Sequence, residues 1–565
     1  MPPKFIFVLG GVLSGLGKGV VTSSIGKLLK SEGYDVTAIK IDPYINLDAG
    51  TLRPTEHGEV WVTQDGGEID QDLGNYERFL NTNIPKQNNI TTGQIYLNVI
   101  EKERRLEYGG RDVEVIPDIP NEIMRRIYQI AEGHDFVLVE VGGTTGDIEN
   151  LLFLYAIREI GRKHPSVYIF VTYLPFLRNV GELKTKPTQH AISRLRETGI
   201  FPDFVVTRAE VPTDRQRRWI IAQRCFVDEE NVIDDPDLDN IYEVPLLFRK
   251  QKFGEKILNK FGLKISNDPN MSGWEKMVEN MKTATKEVRI GVVGKYVEHG
   301  AAKHRDVYIS IIQALIHAGA YLNVKPVIEQ VQSSNLSQPE TSTLEELKKY
   351  DGILVPGGFG STGVEGKIEA IRYCREKNVP FLGLCYGMQL AVVEYARNVL
   401  GWNAHTTEIE KTEYPVIDIL PEQKSLIENS KYGGTMRLGS YVAIIKDGTR
   451  IFDAYKNSNR FEKDKEEIKN LENHRIGIVK PDQYTITERH RHRYEVNPRF
   501  VKELENNGLI FSGRHVRLDG QELMEFLELK NHCCFLATQA HPEFKSRLEN
   551  PSPIFVEFMR CAAKL

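Results

Sequence analysis

Cys385 lies in the run Gly383-Leu384-Cys385-Tyr386-Gly387, after the apolar stretch VPFLGL and before a segment with helical apolar spacing. Strand, sharp turn and helix in that order form an elbow, and its glycines relieve crowding around an exposed nucleophile. The start of the following helix favours a thiolate. The base must come from elsewhere in the chain. His541-Pro542-Glu543 follows the last β-rich run, so His541 is the candidate base and Glu543 the group that orients it. Val355-Pro356-Gly357-Gly358-Phe359-Gly360 follows another strand-like run and can offer amides to an oxyanion. Buried cysteines are more often structural, and the other five, at 225, 374, 533, 534 and 561, take that inert reading.

A second chemistry belongs to phosphates. Gly10-Gly11-Val12-Leu13-Ser14-Gly15-Leu16-Gly17-Lys18-Gly19 falls between a strand and a helix, where curled backbone amides, a helix N-terminus and Lys18 suit a nucleotide. The standard spacing would put the first glycine at Val12 and a hydroxyl residue at Gly19, so the loop is a variant. Thr22 and Ser23 stand too far along to replace that hydroxyl. Carboxylates follow at Asp65, Glu68, Asp70 and Asp72, and Glu140 closes the buried run VLVEVGG. A carboxylate ending such a run is costly to bury alone, so Asp72 with Glu140 is the candidate magnesium pair. Glu68 and Asp70 are equally readable as loop acids. Lys40 ends the second strand-like run, next to Asp42. Lys184-Thr185-Lys186-Pro187-Thr188-Gln189 gathers two ammonium groups before a helix, a second polyphosphate-type site. Two such sites suggest phosphoryl transfer between bound partners.

The elements that must hold these groups alternate. Runs at 5–9, 36–41, 136–141 and 167–173 are strand-like, with helical patterns between them, which implies parallel βαβ units and a doubly wound sheet. The turn-rich SNDPNMSG and a polar helical run make a linker at 268–287. A fresh α/β series follows at 288–293, 352–355 and 379–384 and closes near 534–538. The expected fold class is therefore α/β, with one module over 1–267 and another over 288–565. The charge-dense run 461–473 reads as a solvated helix or loop. Length, 565 residues, and 41% hydrophobic content suffice for large cores without staples. A net charge of −5 excludes a generally basic nucleic-acid binder but not local anion pockets. No apolar stretch is long enough to span a membrane, and Lys18 directly after the first apolar run argues against a signal peptide. Six cysteines without framework spacing fit a reducing cytoplasm.

The late motifs resemble the class I glutamine amidotransferases. Together with GGVLSGLGKG, KIDPYIN, EHGEV, EVGGTTGDIE and KTKPTQH, nearly the whole chain is similar to the CTP synthase family. The resemblance implies glutamine hydrolysis through a Cys385 thioester with His541 and Glu543. Gly358, Tyr386, Gly387, Met388, Gln389, Glu408 and Arg491 then match glutamine-binding positions. Ammonia would pass through an internal tunnel gated near His57 and Val60, and ATP would phosphorylate O4 of UTP before ammonia displaces phosphate to give CTP. Gly15, Leu16, Gly17, Lys18, Gly19, Val20, Lys40 and Asp72 match the ATP site, and Asp72 with Glu140 the magnesium ligands. Ser14, Asp147, Ile148, Glu149 and 184–189 match the site shared by UTP and the feedback inhibitor CTP. GTP is the implied activator, a homotetramer the implied assembly, and filaments are known in the family.

Three departures from the family pattern stand out. Ser361-Thr362 replaces an arginine-bearing loop, Arg217-Arg218-Trp219 replaces a lysine-bearing run, and Asn150-Leu151-Leu152 stands where serine and proline are common. Two other readings stay open: an ATP-dependent amidotransferase acting on a carboxylate, and a nucleotide-sensing assembly protein.

Overall fold

The computed structural model describes residues 2–53, 57–265, 269–295, 305–337, 345–358, 360–419 and 436–565, with 305 and 306 described by backbone alone. Two compact units emerge, one made of 1–49 and 69–278, the other of 50–68 and 279–565. Their boundary falls inside the span 268–287, and the short segment 50–68 belongs with the second unit although it precedes most of the first.

In the first unit, β1 (Lys4–Gly10), β2 (Val36–Asp42), β3 (Asn89–Thr91), β4 (Phe136–Val141), β5 (Ser166–Tyr173), β6 (Phe204–Ala209) and β7 (Val232–Pro236) form one sheet. Its order is β7-β6-β5-β1-β4-β2-β3, with parallel pairing throughout. The sequence explains this. KFIFVLG and FVLVEV lack apolar–polar alternation because helices cover both faces, and every residue of both strands is buried. The order puts the loops after β1, β4 and β5 side by side. Thr145 N donates to Gly10 O at 2.9 Å, and Gly11 N donates to Val171 O at 3.1 Å.

Helix α1 (Lys18–Ser31) begins at the loop's own lysine. Gly17 turns the chain into it at φ 83, and no side chain caps the start. Open amides therefore face the loop. The polar run after SNDPNMSG is helical as expected, Ser272–Thr283. Its Trp274 is fully buried and donates Nε1 to Tyr242 O at 2.8 Å, which ties the helix start to the first unit.

The second unit is built on β8 (Glu287–Gly294), β9 (Lys325–Gln332), β10 (Gly352–Val355), β11 (Phe381–Leu384), β12 (Arg437–Ile445), β13 (Tyr484–His492), β14 (Leu509–Val516), β15 (Glu522–Leu529) and β16 (Phe535–Thr538). The order is β9-β8-β10-β11-β16-β15-β14-β12-β13. The first five are mutually parallel, and the rest continue antiparallel. All four runs found by sequence lie in the parallel half. The antiparallel half is obscured by buried polar residues, as in YTITERHRH, where Glu488, Arg489 and His490 are all 1% exposed or less.

The charge-dense run departs from its solvated expectation on one face. It forms a helix, Arg460–Ile468, in which Asp464 is 3% exposed. Arg460 Nε donates to Asp464 at 2.9 Å, Thr487 N at 2.9 Å, and Lys545 Nζ lies 3.7 Å away. Acids on this helix answer Arg460 at its own start and Lys545 in the turn after β16.

Candidate functional site

Adjacent parallel strands bring the thiol and its base together. β11 pairs with β16 so that Leu384 stands opposite Thr538, and Cys385 N donates to Thr538 O at 2.7 Å. One residue beyond β11 comes Cys385, and three beyond β16 comes His541. Cys385 holds φ 49 and ψ −101, a strained conformation for a residue with a side chain. The elbow closes only because 383 and 387 are glycines: a Cβ at 383 would lie 2.9 Å from the backbone of Gly387, and one at 387 would strike Val355 O.

His541 Nδ1 is 2.7 Å from Glu543 Oε1. Burial pushes the imidazole down, but the charges of Glu543 and of a Cys385 thiolate raise it to about 10. His541 is thus set as an imidazolium beside the nucleophile. The space where a Cβ of Gly357 would stand is 3.6 Å from His541 Nε2 and 3.6 Å from Cys385 Cβ, so the glycine turn faces the reacting atoms. Cys385, His541, Glu543, Gly357, Gly358 and Arg491 line one cavity of about 370 Å³.

Of the expected glutamine-binding residues, Gly358 and Arg491 line this cavity, whereas Tyr386, Gly387, Met388, Gln389 and Glu408 are not among its lining residues. Glu408 Oε1 accepts from Gly360 N at 2.8 Å and anchors the oxyanion turn. Gln389 Nε2 donates to Tyr494 O at 2.9 Å. Tyr386, Gly387 and Met388 open the helix after the elbow, Tyr386–Asn398, and Met388 is fully buried in the core. Arg491 Nε donates to Glu68 Oε1 at 2.8 Å. Val60 lines the cavity, whereas His57 is exposed and is not among its lining residues. Segment 50–68 is held within the second unit by backbone acceptors. Val62 O takes Arg489 Nη1 at 2.9 Å, and Gln64 O takes Arg475 Nη1 at 3.0 Å.

In the first unit Lys18 folds back across Gly10, whose Cβ would lie 2.7 Å from Lys18 Cδ, and donates Nζ to Gly143 O at 2.7 Å. Burial pulls this ammonium below its ordinary value. Lys40 is 5% exposed, with Asp72 bonded to its Nζ and Glu140 Oε1 at 3.2 Å. Burial works against its charge, yet Asp72 and Glu140 hold it well above the usual lysine range. Tyr76 donates its hydroxyl to Glu140. The variant loop now has a reason. A Cβ at Gly19 would collide with the Asp72 carboxylate, so an acid stands where the standard loop keeps a hydroxyl.

The acidic run separates by partner. Asp65 accepts from Thr63, Glu68 pairs with Arg491, and Asp70 caps the helix Asp72–Leu80 by accepting Asp72 N at 2.8 Å. Asp72 and Glu140 both bond the Lys40 ammonium, which Asp42 and Asp70 also approach at 3.8 and 3.9 Å. Among the described residues no group of three or more His, Cys, Asp or Glu is placed to hold a metal. Two hard oxygen ligands converging on a resident cation fit magnesium, which completes its shell with water and phosphate.

The residues expected to form a second anion site sit around the helix Lys186–Glu197, which has Pro187 in its first turn and no side-chain cap. A Cβ at Gly11 would press on Ala191 of this helix, and Arg194 lies beside Gly146, so the loops after β1 and β4 border it. Lys186 is exposed, Lys184 pairs with Glu182, and Gln189 Nε2 donates to Thr185 Oγ1 at 3.0 Å. The Thr188 hydroxyl is buried and engaged with Thr172 Oγ1 at 2.8 Å. Ser14, Asp147 and Glu149 are exposed, as is Ile148 at 86%. Leu16 is buried, while Gly15 turns at φ 71 and Val20 lies inside α1.

Several residues escaped the sequence. Arg217 joins Lys184 on Glu182. Asn150, in the third departure, is buried and donates Nδ2 to Gly142 O at 2.9 Å and Thr144 O at 2.8 Å, closing the loop that carries Asp147. Lys367 is a buried lysine behind the glycine turn. Nothing local in GVEGKIEAI marks it.

Two family models together cover most of the chain. Residues 4–263 match the family model for the CTP synthase N-terminus, and 303–561 match glutamine amidotransferase class-I. The CTP synthase of Methanocaldococcus jannaschii is 49% identical over 99% of this chain and 98% of its own length. That of Pyrococcus abyssi is also 49% identical, over 99% and 98%. A solved Trypanosoma brucei CTPS glutaminase domain with bound acivicin is 33% identical, covering 49% of this chain and 94% of that one, with a TM-score of 0.41. With near-complete coverage on both sides, this chain belongs to the CTP synthase family.

Proposed function

We infer that the protein aminates UTP to CTP at the expense of ATP, with ammonia taken from glutamine. The observation that carries this is the coexistence in one chain of a strained Cys385 elbow beside a charged His541–Glu543 pair and a phosphate loop ordered around Lys18, Lys40 and Asp72. Family membership over the whole chain supports it.

In the second unit Cys385 attacks the glutamine amide, and the turn at Gly357 and Gly358 accepts charge on the carbonyl oxygen. His541 gives its proton to the departing ammonia, and the thioester is then hydrolysed. Arg491 and Glu408 fit the charged ends of glutamine. Val60, on the cavity wall, suits a gate for ammonia, with His57 close in sequence. In the first unit the open start of α1, Lys18 and Lys40 receive the ATP phosphates. Asp72 and Glu140 would hold magnesium, which supplies charge neutralisation to the phosphates when bound. Lys184 to Gln189, with Ser14 and Asp147 to Glu149, form the site proposed for UTP and for CTP as inhibitor. Phosphorylation of UTP at O4 makes a leaving group that ammonia displaces. GTP activation, a homotetramer and filaments are the regulatory and assembly expectations of the family. Neither proposed site calls for nucleic acid, and no described helix is long and apolar enough to cross a membrane. A cytoplasmic setting suits nucleoside triphosphate substrates.

The test is direct. Protein, UTP, ATP, magnesium and glutamine should yield CTP, and Cys385→Ala should lose glutamine use while keeping ammonia-supported synthesis. No CTP from either nitrogen source would refute the activity. Loss of both in a folded C385A variant would refute the two-site division.

A further inference from the structure

Lys367 lies on the helix Val364–Lys377, directly after the glycine turn, and is 1% exposed. Its Nζ is buried without a hydrogen-bond partner among the described residues. Long lysines at a helix surface normally run their stems along apolar groups and leave the ammonium in water. This one points inward. Its Nζ is 3.6 Å from where a Cβ of Gly358 would stand and 5.4 Å from the centre of the Tyr386 ring. The groups that bear on it are Lys295 after β8, Cys385 at the elbow and Glu408 beyond β11, together with that ring.

A buried ammonium without a hydrogen bond is expensive, and the Tyr386 ring with the more distant Glu408 and Cys385 offsets only part of that cost. We propose that Lys367 is an electrostatic positioning residue for glutamine hydrolysis, stabilising from behind the negative charge that develops at the Gly357–Gly358 turn. The proposal rests on Cys385 being the glutaminase nucleophile and adds a residue to that site.

Burial pushes Lys367 down, Lys295 pushes it further, and Cys385 and Glu408 pull it back, to about 7. The ammonium is therefore present at low pH and lost as pH rises. Its folded value lies below the ordinary 10.5, so its cost to stability grows as pH falls from 10.5 and is complete below about 7. A purely structural lysine and a functional one then predict opposite outcomes on removal.

Lys367→Met keeps the length and removes the charge. The expected result is a fall in kcat for glutamine hydrolysis of roughly tenfold to a hundredfold, with KM little changed. Ammonia-supported CTP formation stays at the wild-type rate, and the melting temperature holds or rises, most clearly below pH 7. The ratio of wild-type to variant kcat is largest near pH 6.5 and shrinks toward pH 9. Lys367→Gln, which is shorter and polar, gives the same kinetic pattern if folding around methionine is disturbed. An unchanged kcat in both variants would overturn the proposal, as would a ratio constant across that pH range. Absence of glutaminase activity in the wild-type protein would overturn the underlying site instead, so the two failures are distinguishable.

Discussion

Glu543→Gln isolates what the carboxylate does for His541. The side chain stays the same size, and the 2.7 Å contact to Nδ1 can persist, but its charge is gone. In the native protein His541 rises from 6.5 to about 10 against the burial that opposes it. At about 1.4 kcal/mol per unit, that rise is on the order of 5 kcal/mol, shared between Glu543 and the thiolate. Removing the Glu543 share should bring the imidazolium down by two units or more. A glutaminase that needs imidazolium as the acid for departing ammonia then loses its basic limb near pH 10 and gains one near or below pH 8. At pH 8.5 a fall to about 8 leaves roughly a quarter of the imidazole protonated, so kcat should drop about fourfold, and by roughly tenfold more for each further unit. Stability carries the same sign. A raised histidine contributes fully below 6.5 and loses its contribution as pH rises through about 10, so the difference in melting temperature should be largest at acid pH and narrow toward pH 10. The assay is glutamate release against pH, with ammonia-supported CTP formation as an internal control. A basic limb that stays near pH 10 in the variant would refute Glu543 as the group that holds the proton on His541.

Two further outcomes test other parts of the structure. Gly19→Ser should drive its Cβ into Asp72, lower ammonia-supported CTP formation at least tenfold and leave glutamine hydrolysis within twofold; normal synthesis would show that no cradle exists there. Asp464→Asn should cost about 3–5 kcal/mol at pH 7 by leaving Arg460 and Lys545 short of a partner. Burial pushes the Asp464 carboxyl up, but Arg460 and Lys545 hold it at about 2, so its contribution is present above 3.8 and lost as pH falls through about 2. Thermal midpoints that match the wild type at pH 7 would remove the network from the stability account.

How much of this could be seen in the sequence depended on distance along the chain. Strand, glycine loop and helix at 4–31 are contiguous, so apolar runs and turn residues revealed them together. Glu140 was visible because a carboxylate in VLVEV violates its surroundings. Its donor Tyr76 was not, since nothing in LGNYERF distinguishes a buried hydroxyl from an ordinary core tyrosine. The transfer of 50–68 to the second unit was invisible for a stronger reason. It depends on backbone carbonyls at Val62 and Gln64 meeting Arg489 and Arg475, over 400 residues later. Backbone acceptors carry no side-chain signature. Lys367 failed in the opposite direction, because a lysine at a helical position reads as solvated until the fold buries it.

The glycines of both sites are better explained by approach than by backbone freedom. Gly15 and Gly17 do hold positive φ and shape the phosphate loop. Gly10, Gly19, Gly357 and Gly358 do not, and each lies against a charged side chain instead: Lys18, Asp72, His541 and Lys367. These four positions therefore mark where a charged group comes close to the backbone, whereas Gly11 makes room for Phe170 and Ala191. Distances then rank the positions. A Cβ at 19 collides with a carboxylate, one at 10 or 357 comes to 2.7–2.9 Å of a side chain, and one at 358 meets Lys367 at an ordinary 3.6 Å. Alanine should accordingly harm function most at 19, less at 10 and 357, and least at 358, an order that a motif defined by conformation alone does not supply.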